Sequence, residues 1–433
     1  MRWTLVVLVT ACATAPPRVD DTPAPPDIPA DAERHYAIWL GGAQVGTARE
    51  TEQWSRAGVI LRRTEAMQFL RGAVPVALAT AIEITADRQL VPSRVTWTEA
   101  SRAIRRGEAV RDATGWLVTD EAGVRRLAPG AIPAELAPLL VRRDGRFAGR
   151  VFLPARGFVA GAGWIAPVGP DAPVAPRRLI ARLVLDAGAT SSAMTMPSSD
   201  AAGATTEATI DLGDDAMPVR IVDGEGVIAT RVTAAEAATP FAPADLIAAT
   251  SIPLTGTPSH RLVLESDLAL PAVPGQAVHA APGGAVLELS ARLGGGLPPG
   301  PAGADRTREI IALVALVHRH ISPDLAAHPT SARAAAAATA GDCTTFALAY
   351  AALAVARGIP TLVVTGFRVD GARLVRHRWA ASWTGRVWLA VDAAFGAAPA
   401  GGDLVGLAVH DADDDGLVAG EAALTHVRAA AWR

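Results

Sequence analysis

Cys343 is the residue of this sequence best placed for covalent chemistry, and it is one of only two cysteines in 433 residues. Asp342, directly before it, is a good helix N-cap because its carboxylate can accept the first free backbone N–H groups. The Ala- and Leu-rich run from Cys343 to Ala356 then predicts a helix that ends before Gly358. The helix dipole favours a thiolate in the first turn. A lone cysteine is more often a small core residue, but the residues that follow favour the reactive role.

A base and an acid follow Cys343 on predicted strands. The alternation of apolar residues and the turn signals predict three strands, over residues 361–368, 372–383 and 386–392. The first two are joined by the hairpin signal Asp370-Gly371. If Thr384 and Gly385 form a two-residue turn, His377 lies directly opposite Asp392, with their Cβ atoms about 4.5–5.5 Å apart.

These three residue types suit nucleophilic catalysis at a carbonyl carbon. A carboxylate fixes the tautomer of an imidazole and stabilises its imidazolium, and the imidazole activates a thiol. The sequence therefore predicts Cys343 as nucleophile, His377 as base and then acid, and Asp392 as the orienting group. The backbone N–H of Cys343, at a helix N-terminus, would supply half of an oxyanion hole.

About a quarter of the chain, from Asp305 to Phe395, resembles a transglutaminase-like domain, a circularly rearranged relative of the papain fold. The resemblance rests on four blocks: the helical pattern Ile310, Leu313, Val314, Val317 and Ile321; Gly341-Asp342-Cys343; Arg357-Gly358-Ile359-Pro360; and His377-Arg378-Trp379 with Val391-Asp392. It implies the same three catalytic residues. Arg378 departs from the small residue usual in the family, and Ala393-Ala394 replaces Pro and Thr after the acid, which affects substrate and loop details.

The amino terminus has the pattern of a secretory signal. A charged start and a short apolar run precede Thr10-Ala11-Cys12, and the run is too short to span a membrane. The pattern resembles a bacterial lipobox, which implies that Cys12 is lipidated; the alternative is a simple signal peptide with an incidental cysteine. The Pro- and Ala-rich tether that follows favours the lipoprotein. We therefore expect membrane attachment through a lipid anchor in the bacterial cell envelope, as an outer-membrane lipoprotein facing the periplasm or the cell surface.

The rest of the chain predicts a multidomain α+β protein. Short alternating runs predict antiparallel strands in a curved sheet or open half-barrel, with short helices near residues 134–140 and 243–249. The fold class is thus a β-rich antiparallel N-terminal region followed by a papain-like, transglutaminase-like α+β domain. The predicted divisions are a signal peptide (1–12), a tether (13–31), a β-rich domain (32–253), an additional β segment (254–293), a linker (294–303) and the transglutaminase-like domain (304–433).

The sequence argues against several other partners and sites. A net charge of −3 without a basic stripe argues against a nucleic-acid partner. Asp411, Asp413 and Asp415 have the opening spacing of a calcium loop, but Ala422 stands where the bidentate Glu is needed, which favours a solvated acidic turn. No metal or cofactor is predicted. Asp342 and Trp379 are candidates for lining the substrate groove, and the alternative for Trp379 is a position in the core.

The predicted function is thiol-dependent acyl transfer or hydrolysis at amide bonds of a protein or peptide substrate. The sequence does not separate cross-linking from hydrolysis; hydrolysis is preferred because bacterial members of the family are often hydrolases. The alternative is a catalytically inactive, surface-tethered binding or assembly module. A third reading places the function wholly in the β-rich part.

Overall fold

The computed structural model describes residues 28–101, 104–121, 123–154, 159–167, 178–185, 205–224, 226–290, 296–327 and 332–433. The predicted signal peptide, Cys12 and most of the tether lie outside these residues. Lipidation of Cys12 therefore stays a prediction.

The N-terminal part is one long sheet. Its strands are β1 (Ala32–Leu40), β2 (Ala43–Trp54), β3 (Val59–Arg71), β4 (Val74–Ala86), β5 (Pro92–Ala100), β6 (Ile104–Asp112), β7 (Gly115–Asp120), β8 (Gly123–Leu127), β9 (Ile132–Pro133), β10 (Phe147–Leu153), β11 (Val159–Pro167), β12 (Arg178–Leu185), β13 (Thr205–Leu212), β14 (Pro218–Val222) and β15 (Val227–Val232). They lie in the order β8 to β1, then β15 to β9. The pairs are antiparallel except β9 with β10. The prediction of a β-rich antiparallel N-terminal region is confirmed.

This sheet is strongly curved, because strands far apart in its order share one core. Trp116 on β7 and Phe152 on β10 pack edge to face, with their ring centroids 5.2 Å apart. Both belong to the same buried cluster as Val59 and Trp97. Three short helices accompany the sheet: α1 (Ala137–Asp144), α2 (Ala234–Ala237) and α3 (Leu246–Ala249). Helices were predicted near α1 and α3.

A second sheet holds the predicted catalytic strands. The remaining strands within the described ranges are β16 (Ile252–Thr255), β17 (Arg261–Ser266), β18 (Gln276–Ala281), β19 (Gly284–Leu289), β20 (Ser322–Pro323), β21 (Ala340–Gly341), β22 (Thr361–Asp370), β23 (Arg373–Trp383), β24 (Trp388–Val391), β25 (Leu404–His410) and β26 (Val427–Trp432). The second sheet has the order β18-β19-β17-β26-β16-β23-β22-β25, with β24 beside β23; β20 and β21 form a separate pair.

The predicted linker 294–303 does not separate two sheets. Strands from the predicted additional β segment lie in the same sheet as β22 and β23, which follow the linker. The described part of the linker also packs on this sheet, since the indole N–H groups of Trp383 and Trp388 donate to the carbonyls of Pro301 and Pro298, each at 2.7 Å. The domain boundaries themselves stay predictions.

Helices cover the second sheet near the site. They are α4 (Thr307–His320), α5 (Ala332–Ala337), α6 (Cys343–Ala356) and α7 (Asp414–Leu424). The apolar stripe of α4 is buried against α6 and the sheet, where Phe346 and Tyr350 meet Ala380 and Val391. Of the helices in the described ranges, none has the length and apolar character needed to cross a membrane.

Candidate active site

Cys343 is the first residue of α6, as predicted, and its side chain is partly exposed. Asp342 is the N-cap: one carboxylate oxygen, Oδ1, accepts the N–H groups of Thr344 at 3.0 Å and Thr345 at 3.4 Å. The helix ends at Ala356, and Gly358 follows with φ +70°, a conformation that favours glycine. Local capping signals therefore place the sulfur at the positive end of a well-defined helix.

His377 and Asp392 lie in a register that differs from the predicted one. Trp383 pairs with Trp388, so the turn has the four residues 384–387. Thr384 builds it, since its hydroxyl accepts the N–H groups of Arg386 and Val387. The predicted two-residue turn is wrong, and Asp392 is displaced by two residues from the position opposite His377. Because side chains alternate along a strand, an even displacement keeps Asp392 on the same face as His377.

The displaced register still brings the acid to the imidazole. Nε2 of His377 lies 2.7 Å from Oδ2 of Asp392, and the two side chains are only 6% and 4% exposed. The thiol of Cys343 also interacts with this imidazole and raises the pKa of His377. Since Nε2 faces Asp392, Nδ1 is the ring nitrogen left for the sulfur. The fold therefore brings together Cys343, His377 and Asp392, the residues predicted to act as nucleophile, base and acid.

The protonation of His377 suits this arrangement. Burial lowers the pKa of His377, but the hydrogen bonds to Asp392 and Cys343 outweigh burial and raise the pKa from its ordinary 6.5 to about 10. The imidazole is therefore protonated at neutral pH. A protonated imidazole is the partner that stabilises a thiolate nucleophile in Cys-His sites.

Asp392 is held by the turn that follows it. Its second oxygen, Oδ1, accepts the N–H groups of Ala394 at 3.1 Å and Phe395 at 3.4 Å. The residues that depart from the family pattern, Ala393 and Ala394, thus still form a turn that orients the acid. His318, on α4, supports the same turn, with its Nδ1 3.1 Å from the carbonyl oxygen of Ala393.

Two aromatic rings flank the imidazole. Trp379 stacks on His377 with the ring centroids 6.1 Å apart and the planes 16° from parallel. Trp379 is only 1% exposed, so it supports the imidazole from inside the protein. This burial agrees with the predicted core position and contradicts a position in the wall of an open groove. Asp342 likewise serves the helix cap. Phe395, which the sequence analysis did not single out, is 57% exposed and lies edge-on to His377 with the centroids 5.5 Å apart.

Arg378, the residue unusual for the family, is a buried cross-link. Its side chain is 5% exposed. Its Nη1 donates to the hydroxyl of Thr344 at 2.8 Å, its Nη2 to Glu421 at 2.9 Å, and its Nε to the hydroxyl of Thr365 at 2.9 Å. Thr344 follows Cys343 and Arg378 follows His377. One guanidinium therefore joins the two elements that carry Cys343 and His377.

His410 extends this network. Its Nδ1 lies 2.8 Å from the carbonyl of Asp411, and its Nε2 lies 2.8 Å from the Thr365 hydroxyl. A carbonyl can only accept, so Nδ1 carries the proton and Nε2 accepts from Thr365. Burial, and then the charge of Arg378, lower the pKa of His410 to about 3. The histidine is therefore neutral at physiological pH.

The two histidines predict how stability depends on pH. From pH 6.5 down to about 3, the unfolded chain binds a proton at His410 that the folded chain does not. From pH 6.5 up to about 10, the folded chain keeps a proton at His377 that the unfolded chain releases. Both contributions reduce the free energy of unfolding away from pH 6.5.

Urea unfolding between pH 3 and pH 10 should show that the free energy of unfolding decreases on both sides of pH 6.5. His410→Gln should weaken the acid-side loss, whereas His279→Gln, at an exposed histidine, should leave it; equal acid-side slopes in all three proteins would contradict the assignment.

The acidic segment near α7 is used as a helix cap. Asp413 accepts the N–H of Gly416 at 2.7 Å and so begins α7. In a calcium loop this carboxylate would be free for ligation. Among the residues that the structure describes, no three His, Cys, Asp or Glu side chains are grouped to hold a metal ion.

Comparisons with known proteins bear on this site. Residues 301–393, which contain Cys343, His377 and Asp392, match the family model described as Transglutaminase-like superfamily. No curated protein matches the chain. One similar solved structure is the crystal structure of a β-barrel-like protein of a domain of unknown function from Brucella abortus, with a TM-score of 0.35 and 9% identity, covering 46% of this chain and 95% of that chain. A TM-score at this level does not establish a shared fold.

Proposed function

We propose that the transglutaminase-like domain at residues 301–393 performs thiol-based acyl transfer at amide bonds, with water as the usual acceptor. The observation that carries this proposal is the position of His377, whose Nε2 lies 2.7 Å from Oδ2 of Asp392 and whose pKa is raised by the neighbouring thiol of Cys343 as well. A histidine placed between a thiol and a carboxylate is the arrangement that nucleophilic cysteine catalysis requires.

In the first half of the reaction the Cys343 thiolate attacks the carbonyl carbon of an amide. A C–S bond forms, and the carbonyl oxygen takes the negative charge near the N-terminus of α6, where the N–H of Cys343 can donate to it. His377 then gives its proton to the departing nitrogen, the C–N bond breaks, and a thioester remains on Cys343. Asp392 keeps the imidazole oriented throughout.

In the second half the neutral His377 takes a proton from water, which attacks the thioester. The carboxylic acid leaves, and the thiolate of Cys343 and the imidazolium of His377 are restored. A primary amine in place of water would give a cross-linked product. Phe395 supplies an exposed apolar surface beside the imidazole for the substrate chain.

Alkylation of Cys343 by iodoacetamide at neutral pH tests the proposal. We expect Cys343 to react faster than free cysteine, and His377→Ala to slow it by about 10²-fold, the low end of what a general acid–base contributes. Cys343→Ser gives the background. His426→Ala is the matched control, because His426 forms an exposed His–Asp pair with Asp267 at 2.8 Å and should leave the rate unchanged.

A different result would favour the inactive binding or assembly module. If Cys343 reacts no faster than free cysteine and His377→Ala has no effect, the three side chains are not a catalytic unit. Incubation of the active protein with casein and a fluorescent cadaverine separates the two acyl acceptors. Hydrolysis predicts new amino termini or released ammonia without amine incorporation, and incorporation of the amine would replace water as the proposed acceptor.

A further inference from the structure

The β3–β4 hairpin of the N-terminal sheet reaches the helix that carries Cys343. At its tip, Nη2 of Arg71 lies 2.6 Å from Oδ2 of Asp342, and Nη1 of Arg71 donates to the carbonyl of Leu325 at 3.0 Å. Asp342 is the N-cap of α6 and directly precedes Cys343. A residue of the β-rich region therefore contacts the residue next to the candidate nucleophile.

The hairpin tip is held in place by further backbone contacts. The N–H of Gly72 donates to the carboxylate of Asp245 at 2.9 Å, and the N–H of Leu70 donates to the carbonyl of Ala244 at 2.8 Å. Gly72 has φ +63°, which a side-chain-bearing residue rarely adopts. These bonds fix the backbone on both sides of Arg71, so its guanidinium is directed to α6 by a rigid tip.

The two oxygens of Asp342 have separate tasks. Oδ1 caps the first turn of α6, and Oδ2 receives Arg71. The side chains are 10% exposed for Asp342 and 27% for Arg71, so water screens the pair only in part. Without Arg71, a largely buried carboxylate would stand unpaired beside Cys343. Its negative charge would disfavour a thiolate there, and its side chain would be freer to leave the cap.

We propose that Arg71 is a positioning residue for Cys343, through which the β-rich region fixes the capped turn and offsets the charge of Asp342. This inference rests on the proposed function, because it concerns the same nucleophile. It gives the N-terminal sheet a role in catalysis: its longest hairpin completes the environment of the thiolate. The catalytic helix and the sheet then form one functional unit.

The test is the rate of Cys343 alkylation by iodoacetamide, measured against pH in the full chain. We expect Arg71→Gln to move the midpoint of the pH profile to higher pH and to lower the rate at neutral pH by about 3- to 10-fold, the effect of one partly screened charge. Arg71→Lys keeps the positive charge but lacks the guanidinium that bonds Asp342 and Leu325 together. Its midpoint and its rate should lie between those of Arg71→Gln and the wild type. Arg62→Gln is the control, because Arg62 lies on the same strand in an exposed ion pair with Glu83 at 2.6 Å and should reproduce the wild-type profile.

A double-mutant cycle separates charge from architecture. Asn at position 342 can still cap a helix but carries no charge. Asp342→Asn alone should therefore move the midpoint to lower pH, and adding Arg71→Gln should return it close to the wild-type value, because both charges are then absent. An Arg71→Gln profile that overlies the wild-type profile would overturn the inference. A second result would also overturn it: an alkylation rate that Arg71→Gln lowers equally at every pH, in proportion to the loss of folded protein measured by circular dichroism. In that case Arg71 only stabilises the contact between the two regions and has no effect on the thiolate.

This outcome is distinguishable from failure of the proposed function. If the wild-type Cys343 is not activated and does not respond to His377→Ala, the proposed function fails, and the inference fails with it. If the wild type is fast and dependent on His377 but indifferent to Arg71, only the role of Arg71 is excluded. If Arg71→Gln does not fold, Arg71→Lys and the Asp342→Asn background still decide whether the Arg71–Asp342 pair acts on the thiolate.

Discussion

Asp392→Ala is expected to slow the alkylation of Cys343 at neutral pH by about 10²-fold or more. Of the influences on His377, burial lowers its pKa and the hydrogen bond to Asp392 is the largest that raises it. With the carboxylate gone, only Cys343 would oppose the effect of burial, and the pKa of His377 would fall. The imidazolium that pairs with the thiolate would then be less stable, and the pH profile of alkylation should move to higher pH.

The same substitution should also destabilise the fold. Nε2 of His377 would lose its partner in a buried position, and the N–H groups of Ala394 and Phe395 would lose the Oδ1 acceptor. An unsatisfied buried polar group costs about 1–3 kcal/mol, which urea unfolding can measure. Asp392→Asn keeps an oxygen for the turn and a hydrogen-bonding group for His377 but removes the charge. It should therefore restore most of the stability and only part of the rate; a rate equal to wild type in both variants would contradict the role of Asp392.

The position of Cys343, the candidate nucleophile, could be predicted because its determinants are local. The N-cap Asp342 and the glycine after the helix, Gly358, can each be recognised from the residues within one helical turn of it. The helix α6 has the predicted bounds Cys343–Ala356. The pairing of His377 with Asp392 depended on one turn. The sequence signal at Thr384-Gly385 suggested two loop residues, but the hydroxyl of Thr384 closes a turn of four. The prediction that His377 and Asp392 share one face of the sheet was still correct, because side chains alternate with a period of two and the register differs by two residues.

Long-range contacts could not be predicted in the same way. The pairing of β16 with β23 and with β26 joins residues more than a hundred positions apart, and no local pattern specifies it. Arg71 reaches Asp342 for the same reason, across 271 positions of sequence. Phe395 gave only a weak signal, an aromatic residue three positions after the predicted acid. Its place beside His377 follows from the turn that Asp392 organises.

Arg378→Met is expected to slow Cys343 alkylation by about tenfold or more, because a displacement of about 1 Å between reacting groups can cost 10²-fold. Methionine fills much of the space of arginine but cannot bond Thr344, Thr365 or Glu421. The helix of the nucleophile and the strand of the base would lose their shared cross-link. A loss of about 1–3 kcal/mol in unfolding free energy should accompany the change, with Glu421 regaining water because it is partly exposed.

Thr344→Val separates positioning from stability in this network. It removes only the hydroxyl that receives Nη1 of Arg378 and leaves the bonds of the guanidinium to Thr365 and Glu421 in place. If the cross-link sets the distance between Cys343 and His377, Thr344→Val should reproduce much of the rate loss with less of the stability loss. Arg373 lies at an exposed position of β23, the strand that carries Arg378. Arg373→Met is therefore the control, and it should match the wild type in both the alkylation rate and the free energy of unfolding. If Thr344→Val and Arg378→Met keep the wild-type alkylation rate while unfolding more easily, Arg378 serves only the stability of the fold, and the spacing of nucleophile and base must be set by the sheet and α6 alone.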